Sequence, residues 1–593
     1  MTGITDRIQG LREGMLDRGI DAYIVPSSDP HMSEYVAAHW EGRKWLSGFT
    51  GSAGTLVITR DFSGLWTDGR YYVQAEKQLQ GTGIQLFKAG MEGVKSFTQW
   101  IADTLDKGSC VGVDGKLFSL SQVRKMESRF SKKGISINKE HDLLMGIWKD
   151  RPPIPNGPVF VHDIAYAGRT AAQKIEDVRA RMTQKGTDYH LVSSLDDIAW
   201  LYNIRGSDVD YNPVAISYAL VSDERAWLFI NGEKVSEPVR EHLKDNGIEV
   251  EDYEEIESHL SRLGEGDTIL LDVNRVNSWL YNAIPDGVGI EEDTTITTTL
   301  KAIKNETEIE NLKRAHVRDG VAMVRFLYWL DNNISKGDIT EITVADKLEE
   351  YRSQQENYVG LSFPTIAGYE DHGAIVHYQA DEESAYTLGT DGMILIDSGC
   401  QYLDGTTDIT RTIPLGATTS EERRDYTLTL KGNIKLTRTR FLKGATGANL
   451  DILARLHLWE HGIDYKHGTG HGVGYFLNVH EGPQGISPIS SRVRLEAGML
   501  VTNEPGVYRE GSHGIRIENE LLVVEDIETE FGEFLRFEPI TLCPIDLAPI
   551  ELDLLDEGEK RWLNEYHKWV YDILSPLLNQ EESLWLKDKT RAI

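Results

Sequence analysis

The chain has 593 residues, 40% of them hydrophobic and 26% charged, a globular composition that argues against disorder and, at this length, for roughly two to four domains. With 62 basic against 94 acidic residues the net charge is −32, which disfavours nucleic acid and anionic membrane as partners. The cysteines are Cys110, Cys400 and Cys543; far apart and odd in number, they predict neither a disulfide framework nor a cysteine-based zinc site, and fit a reducing, cytoplasmic setting.

The first segment opens with ITDRIQGLREGMLDRG, a charged amphipathic helix without the apolar centre of a signal peptide. No stretch approaches the roughly 18 apolar residues of a membrane span. DAYIVPSSDP at 21–30 predicts a strand and then a helix opening at the serine pair, followed by WLSGFTGSAGTLVIT and GLWTDGRYY. The glycine-rich GFTGSAG is not followed by Gly-Lys-Ser/Thr, so no P-loop is expected. KDRPPIPNGPVF at 149–160, with four prolines and a glycine, reads as a stiff extended connector.

Beyond the connector the pattern recurs. DYHLVSSLDD at 188–197 is followed by WLYNIRGSDVDYNPVAISYALVS and AWLFING. Each half reads as a strand, a helix, a Trp-Leu helix end and a strand pair. This predicts a duplicated α/β domain, with domain I over 1–153 and domain II over 154–303.

The third segment, 304–593, reads as α+β. Asn305 and Glu308 form a capping box, and Ile309, Leu312, Ala315, Met323 and Phe326 then follow helical spacing. Helices are predicted at 305–333, 340–355, 420–440 and 449–461, with strands MILID, TDITRTIPL, GMLVTNEPGVY and GIRIENELLVVED between and after them. The tail after 545 is acidic and then helical, with Trp562, Trp569 and Trp585, and suits either packing on its own domain or covering an edge or subunit contact.

The chemistry concentrates in this segment. In ILIDSGCQYLDGTTDITRT, Asp397 ends an apolar strand, Asp404-Gly405 is a turn and Asp408 starts the return strand. Such a hairpin brings Asp397 and Asp408 side by side, and paired carboxylates repel unless a proton or cation lies between them. Glu504 follows an apolar strand and precedes Pro-Gly. In GIRIENELL, Arg516 and Glu518 share one strand face, opposite Ile515 and Ile517. HGTGHGVG at 467–474 sets His467 and His471 among four glycines, each costing about 1 kcal/mol in a helix. Extended backbone near a ligand is expected there, where a Cβ would obstruct approach. Oxygen-rich donors with an imidazole suit a pair of hard or borderline divalent ions such as Mn2+. Four carboxylates carry −4 and two such ions +4.

DSGCQYLDGTTDITRT, HGTGHGVGYFLNVHEGP, NEPGVY and GIRIEN together resemble the signatures of the pita-bread metallopeptidases, and more narrowly those of the long, three-domain aminopeptidase P (Xaa-Pro aminopeptidase) family. WLSGFTGSAGTLVI and TDGRYY extend the resemblance to the front of the chain. It implies two duplicated creatinase-type α/β domains and a C-terminal pita-bread catalytic domain. It implies two divalent metal ions, Mn2+ foremost, held by Asp397, Asp408, His471, Glu504 and Glu518, with Asp408 and Glu518 bridging. His377, His467 and His480 would bind substrate and move protons, and Arg516 would support Glu518. Cys400 stands where a small residue is expected. His372 and His513 match no motif and are taken as structural.

The implied activity is that of a hydrolase, a metallo-aminopeptidase releasing the first residue of Xaa-Pro-Yaa peptides. In the mechanism that the resemblance implies, the metal pair would supply the attacking hydroxide, metal and a histidine N–H would stabilise the oxyanion, and Glu504 with a neighbouring histidine would return a proton to the leaving nitrogen. A homodimer in the cytoplasm is implied as well. The alternatives are a prolidase-type Xaa-Pro dipeptidase, which the duplicated front domain opposes, and an inactive pita-bread protein-binding module, which the full ligand set opposes.

Overall fold

The computed structural model describes residues 3–489 and 492–593. The chain divides into two compact units, one made of Met1–Val161 and Arg169–Thr297, the other of His162–Gly168 and Thr298–Ile593.

The first unit contains two six-stranded sheets of the same topology. One runs in the order Gln85–Lys88, Ser63–Thr67, Thr55–Thr59, Ala22–Pro26, Cys110–Val113, Ser136–Asn138. The other runs Ile248–Glu251, Ala226–Ile230, Ser217–Ser222, Tyr189–Val192, Thr268–Leu271, Gly289–Glu292. Corresponding neighbours also pair in the same sense. Ala22–Pro26 and Tyr189–Val192 each pair antiparallel on one side and parallel on the other. Order and direction together establish the duplication that the repeated sequence pattern predicts. The helix expected at each serine pair forms only in the second half, as Leu195–Leu201 after Ser194. In the first half the Asp29 carboxylate accepts from the N–H groups of His31 (2.9 Å) and Ser33 (3.0 Å). Met32 then takes a φ of 56°, which ends any helical run.

In the second unit the helix Glu306–Asn333 starts at the predicted capping box. Asn305 Oδ1 accepts from Glu308 N–H at 3.0 Å and Glu308 Oε2 from Asn305 N–H at 2.9 Å. Helices Glu341–Ser353, Ser420–Thr437 and Gly447–Trp459 follow. A three-stranded antiparallel sheet holds Ile366–Tyr369, Met393–Ser398 and Ile409–Pro414. A six-stranded sheet runs Arg440–Leu442, Gly532–Pro539, Asn519–Thr529, Leu500–Asn503, Gly470–Gly472, Glu481–Ile486. A short hairpin, Gly506–Arg509 with His513–Arg516, completes it. The two long strands predicted around NEPGVY and GIRIEN are therefore each broken. The chain leaves one sheet for another at Glu504-Pro505, where proline has no N–H for a ladder, and at Ile517-Glu518.

The tail packs on this unit. Helices Glu557–Leu574 and Gln580–Lys589 add Leu563, Tyr566, Val570, Leu574 and Leu586 to a core shared with Tyr426, Leu430, Ile515 and Ile517. Burying a leucine fully, as Leu574 is, contributes about 1.5–3 kcal/mol. Trp562, Trp569 and Trp585 lie partly buried against the same core.

Candidate metal centre

The hairpin register sets the first two carboxylates. Asp397 pairs with Thr410 and Ser398 with Ile409, so Asp408 falls one residue before the return strand, beside Asp397. Asp408 is buried, and its N–H donates to Glu520 Oε1 at 2.7 Å. Glu520 is fully buried, and His316 Nε2 lies 3.2 Å from its Oε1. Burial opposes a charge on His316, but Glu520 outweighs it and holds the histidine above its ordinary pKa.

Glu504 and Glu518 occupy the two strand breaks, where the backbone is pinned from outside its own ladder. Glu504 N–H donates to the Thr469 carbonyl at 2.8 Å, and Glu518 N–H to the Thr410 carbonyl at 3.1 Å. Thr410 Oγ1 also donates to Glu518 Oε2 at 2.7 Å. Both residues are thus pinned by neighbouring segments, Glu504 through its backbone and Glu518 through backbone and carboxylate.

His471 sits in the strand Gly470–Gly472. Its Nδ1 lies 2.9 Å from the Gly472 carbonyl; a carbonyl only accepts, so Nδ1 carries the proton. The bare Nε2 faces Asp408 Oδ2 at 3.3 Å and Glu504 Oε1 at 3.8 Å. The alternating glycines have another cause than the one expected from sequence. A Cβ on Gly470 would meet the Thr502 carbonyl oxygen at 1.9 Å, and one on Gly472 the Glu481 carbonyl oxygen at 2.3 Å. Neighbouring backbone, not a ligand, excludes side chains there.

Asp408, His471 and Glu518 each offer a ligand atom, and these atoms lie within 4.8 Å of one another. Asp397 Oδ1 is buried and has no hydrogen-bond partner among the described residues. Burial and then Asp397 push Asp408 up to about 8. Burial lifts Glu504 to about 7 against the pull of His471 and Arg516. Burial and then Asp408 raise Glu518 well above the usual carboxylate range. The residues fit divalent cations. An orphaned carboxylate oxygen and an imidazole nitrogen face carboxyls crowded closely enough to resist ionising together, and a cation between them relieves that repulsion.

Arg516, buried at the end of its strand, lies on Asp397, with NH2 2.5 Å from Oδ2. This corrects the expectation that it supports Glu518 directly; it reaches Glu518 through Thr410, donating from Nε to Thr410 Oγ1 at 3.1 Å. Its NH1 donates to Tyr508 Oη at 2.7 Å. His467 Nδ1 donates to the Gly468 carbonyl at 2.7 Å, so Nε2 accepts from Tyr508 Oη at 2.8 Å. Burial and then Arg516 lower His467 to about 3, which keeps it neutral. Both of its nitrogens therefore hold protein, and it orders Tyr508 and Arg516 instead of offering a spare N–H. Tyr508 closes NEPGVY, four residues after Glu504; that spacing was the one sequence signal for it.

His480 is exposed, its ring edge-on to His471 with centroids 4.3 Å apart. His377 is half-buried on the loop after the turn Glu370–Ala374. That loop is stapled by Glu341, a fully buried carboxylate. It accepts from the N–H groups of Tyr369 and Tyr386 at 2.8 Å, from Tyr378 Oη at 2.9 Å and from His372 Nδ1 at 3.0 Å. His372 thus braces the His377 loop. His513 does the same for the Arg516 hairpin, with Nε2 3.1 Å from Asp425 Oδ2, a carboxylate that Arg509 also holds. Asp404, expected at a turn, pairs with Arg318.

Family models match most of the chain in order. Residues 7–142 and again 150–308 match the Creatinase/Prolidase N-terminal domain, 310–525 Metallopeptidase family M24, and 533–593 the C-terminal region of peptidase M24. A probable Xaa-Pro aminopeptidase P of Botryotinia fuckeliana is 43% identical over 96% of this chain and 89% of its own. Aminopeptidase P1 of Arabidopsis thaliana is 39% identical over 97% of each. The crystal structure of X-prolyl aminopeptidase from Caenorhabditis elegans, described as a cytosolic enzyme with a di-nuclear active site, superposes with a TM-score of 0.95 at 36% identity over 100% of both chains. The agreement runs through both α/β halves, the metal-centre unit and the tail, and the chain belongs to the aminopeptidase P family of M24 metallopeptidases.

Proposed function

We propose that this protein is a metallo-aminopeptidase that releases the first residue of peptides carrying proline in the second position. The observation that carries the reading is the meeting of Asp408, His471 and Glu518 ligand atoms within 4.8 Å. They lie beside Asp397, whose Oδ1 is buried and has no hydrogen-bond partner among the described residues. Asp397, Asp408, His471, Glu504 and Glu518 would hold two divalent cations, with manganese favoured by the oxygen-rich donor set. Bound there, the cations supply an activated water near neutral pH and a Lewis acid for the peptide carbonyl.

The chain's own residues do the rest. The peptide's free amine is drawn to the carboxylate cluster, which makes cleavage start at the amino terminus. Glu504 is largely buried, with Oε2 3.8 Å from His467 Nδ1 and Oε1 3.8 Å from His471 Nε2. It is placed to take the water's proton and pass it to the leaving nitrogen. His480, exposed beside His471, and His377 on its stapled loop are the side chains assigned to the substrate backbone and the developing oxyanion. Arg516 and Tyr508 fix Asp397, and His467 fixes Tyr508.

Two named relatives are Xaa-Pro aminopeptidases, and this supports proline at the second position. The prolidase alternative finds less support. The Xaa-Pro dipeptidase of Bacillus anthracis covers 64% of this chain at a TM-score of 0.52. A cytoplasmic location is supported by the unpaired cysteines, and no helix among the described residues is long and apolar enough to cross a membrane. A homodimer is part of the proposal, and light scattering of the purified protein tests it. The activity is tested with a peptide panel of Xaa-Pro, Xaa-Pro-Yaa and Xaa-Ala-Yaa after chelation and after manganese. Xaa-Pro-Yaa should be cleaved only with metal. Cleavage of dipeptides alone would replace this reading with the prolidase one.

A further inference from the structure

Arg411 follows Thr410 on the strand Ile409–Pro414 and is 2% exposed. Its partners among the described residues are all neutral oxygens. NH1 donates to the carbonyls of Glu518 (2.6 Å) and Thr410 (2.9 Å). NH2 donates to Asn519 Oδ1 (2.8 Å), the Cys543 carbonyl (2.9 Å) and Tyr566 Oη (3.1 Å), and Nε to the Pro544 carbonyl (3.0 Å). Tyr566 Oη in turn donates to the carbonyls of Thr541 (3.0 Å) and Cys543 (2.9 Å).

A buried guanidinium without a carboxylate partner is costly unless its N–H groups are satisfied and its charge serves something nearby. Here every N–H has an acceptor, and the acidic cluster begins at Glu518. Glu518 is gripped at three points by two consecutive residues. Its N–H meets the Thr410 carbonyl, its carboxylate meets Thr410 Oγ1, and its carbonyl meets Arg411. The far side of Arg411 is held by Cys543, Pro544 and Tyr566, all in the region matched by the M24 C-terminal model. That region contributes no side chain to the metal cluster described above.

We infer that Arg411 is a positioning residue for Glu518, and that the C-terminal segment from Thr541 to Tyr566 serves the metal centre by locking Arg411. The inference rests on reading Glu518 as a ligand of the metal pair. A guanidinium fixed on both sides holds the Glu518 backbone, and so its carboxylate, at one distance from Asp408. Lysine keeps the charge but cannot span both sides.

The test uses full-length protein: wild type, Arg411→Lys, Tyr566→Phe and, as control, Leu574→Ala, a buried position in the C-terminal core. Manganese binding by titration calorimetry, kcat and KM on an Xaa-Pro-Yaa peptide, and thermal midpoint are read for each. Arg411→Lys should weaken the affinity for one of the two ions by about tenfold or more, the range seen when a residue supporting a metal ligand is lost. It should lower kcat with KM nearly unchanged. Tyr566→Phe, which removes one hydroxyl, should do the same by a smaller factor. Leu574→Ala should lower the thermal midpoint and leave metal affinity alone. If Tyr566→Phe and any folded Arg411→Lys bind manganese as wild type does, and lose only thermal stability, the inference is overturned. Wild-type protein that binds no manganese would instead overturn the functional reading beneath it.

Discussion

Arg516 NH2 lies 2.5 Å from Asp397 Oδ2, while the other carboxylate oxygen, Oδ1, is buried with no hydrogen-bond partner among the described residues. One oxygen is held by the protein, and in the proposed function the other faces a cation. Arg516→Lys keeps a charge but loses the planar fork that also reaches Tyr508 and Thr410. Manganese affinity should fall by roughly 10- to 100-fold, measured by calorimetry on dialysed protein. Unchanged affinity would mean that Asp397 is aimed by the strand alone.

His471 and His467 should differ in kind. His471→Ala removes the Nε2 facing Asp408 and Glu504, so metal content should drop when counted by plasma emission, and activity with it. His467→Ala leaves that nitrogen in place but strips Tyr508 of its acceptor. Both ions should remain while kcat falls by an amount equivalent to about 1–3 kcal/mol, the scale of one lost partner in a buried pair. Equal metal loss in both variants would show this assignment to be wrong.

Glu341→Gln should loosen the loop that carries His377. An amide cannot accept from all four groups that now donate to the carboxylate, so one donor is left buried and unpaired, at a cost of roughly 1–3 kcal/mol. Limited proteolysis should show new cleavage within residues 370–386, together with a lower kcat/KM and intact metal content. A protease map identical to wild type counts against the staple.

Stability should depend on pH through His567. Its Nε2 accepts from Ile545 N–H at 3.1 Å, which requires the neutral ring, and burial followed by the Arg411 charge lowers its pKa to about 3. The ordinary value is about 6.5. Between these values the unfolded chain binds a proton and the native one does not, so this contribution is full above the upper value and is lost as pH falls toward the lower. The slope is at most about 1.4 kcal/mol per pH unit for one group. Urea unfolding from pH 7 to 5 should show this component in wild type and lack it in His567→Gln. Parallel curves for the two proteins would remove His567 from the account.

Local chemistry was legible in the sequence. The capping box at Asn305 and Glu308, the apolar strand ending at Asp397 and the strands of the α/β repeat all formed, because each element depends on residues a few positions apart. The loop motifs named Asp408, His471 and Glu518, whose ligand atoms lie within 4.8 Å of one another. Several relationships could be decided only by tertiary structure. Asp397 and Arg516 are 119 positions apart, and no periodicity reports such a pair. Gly470 and Gly472 are required by the carbonyls of Thr502 and Glu481, which pass close by only once the sheet has formed. Arg411 looked like one more strand residue until the chain from Thr541 to Tyr566 returned to meet it. Periodicity records which face a side chain takes and whether it is buried. The partner of a buried polar group is set by chains arriving from elsewhere, because hydrogen-bond geometry is met within a few tenths of an ångström or not at all.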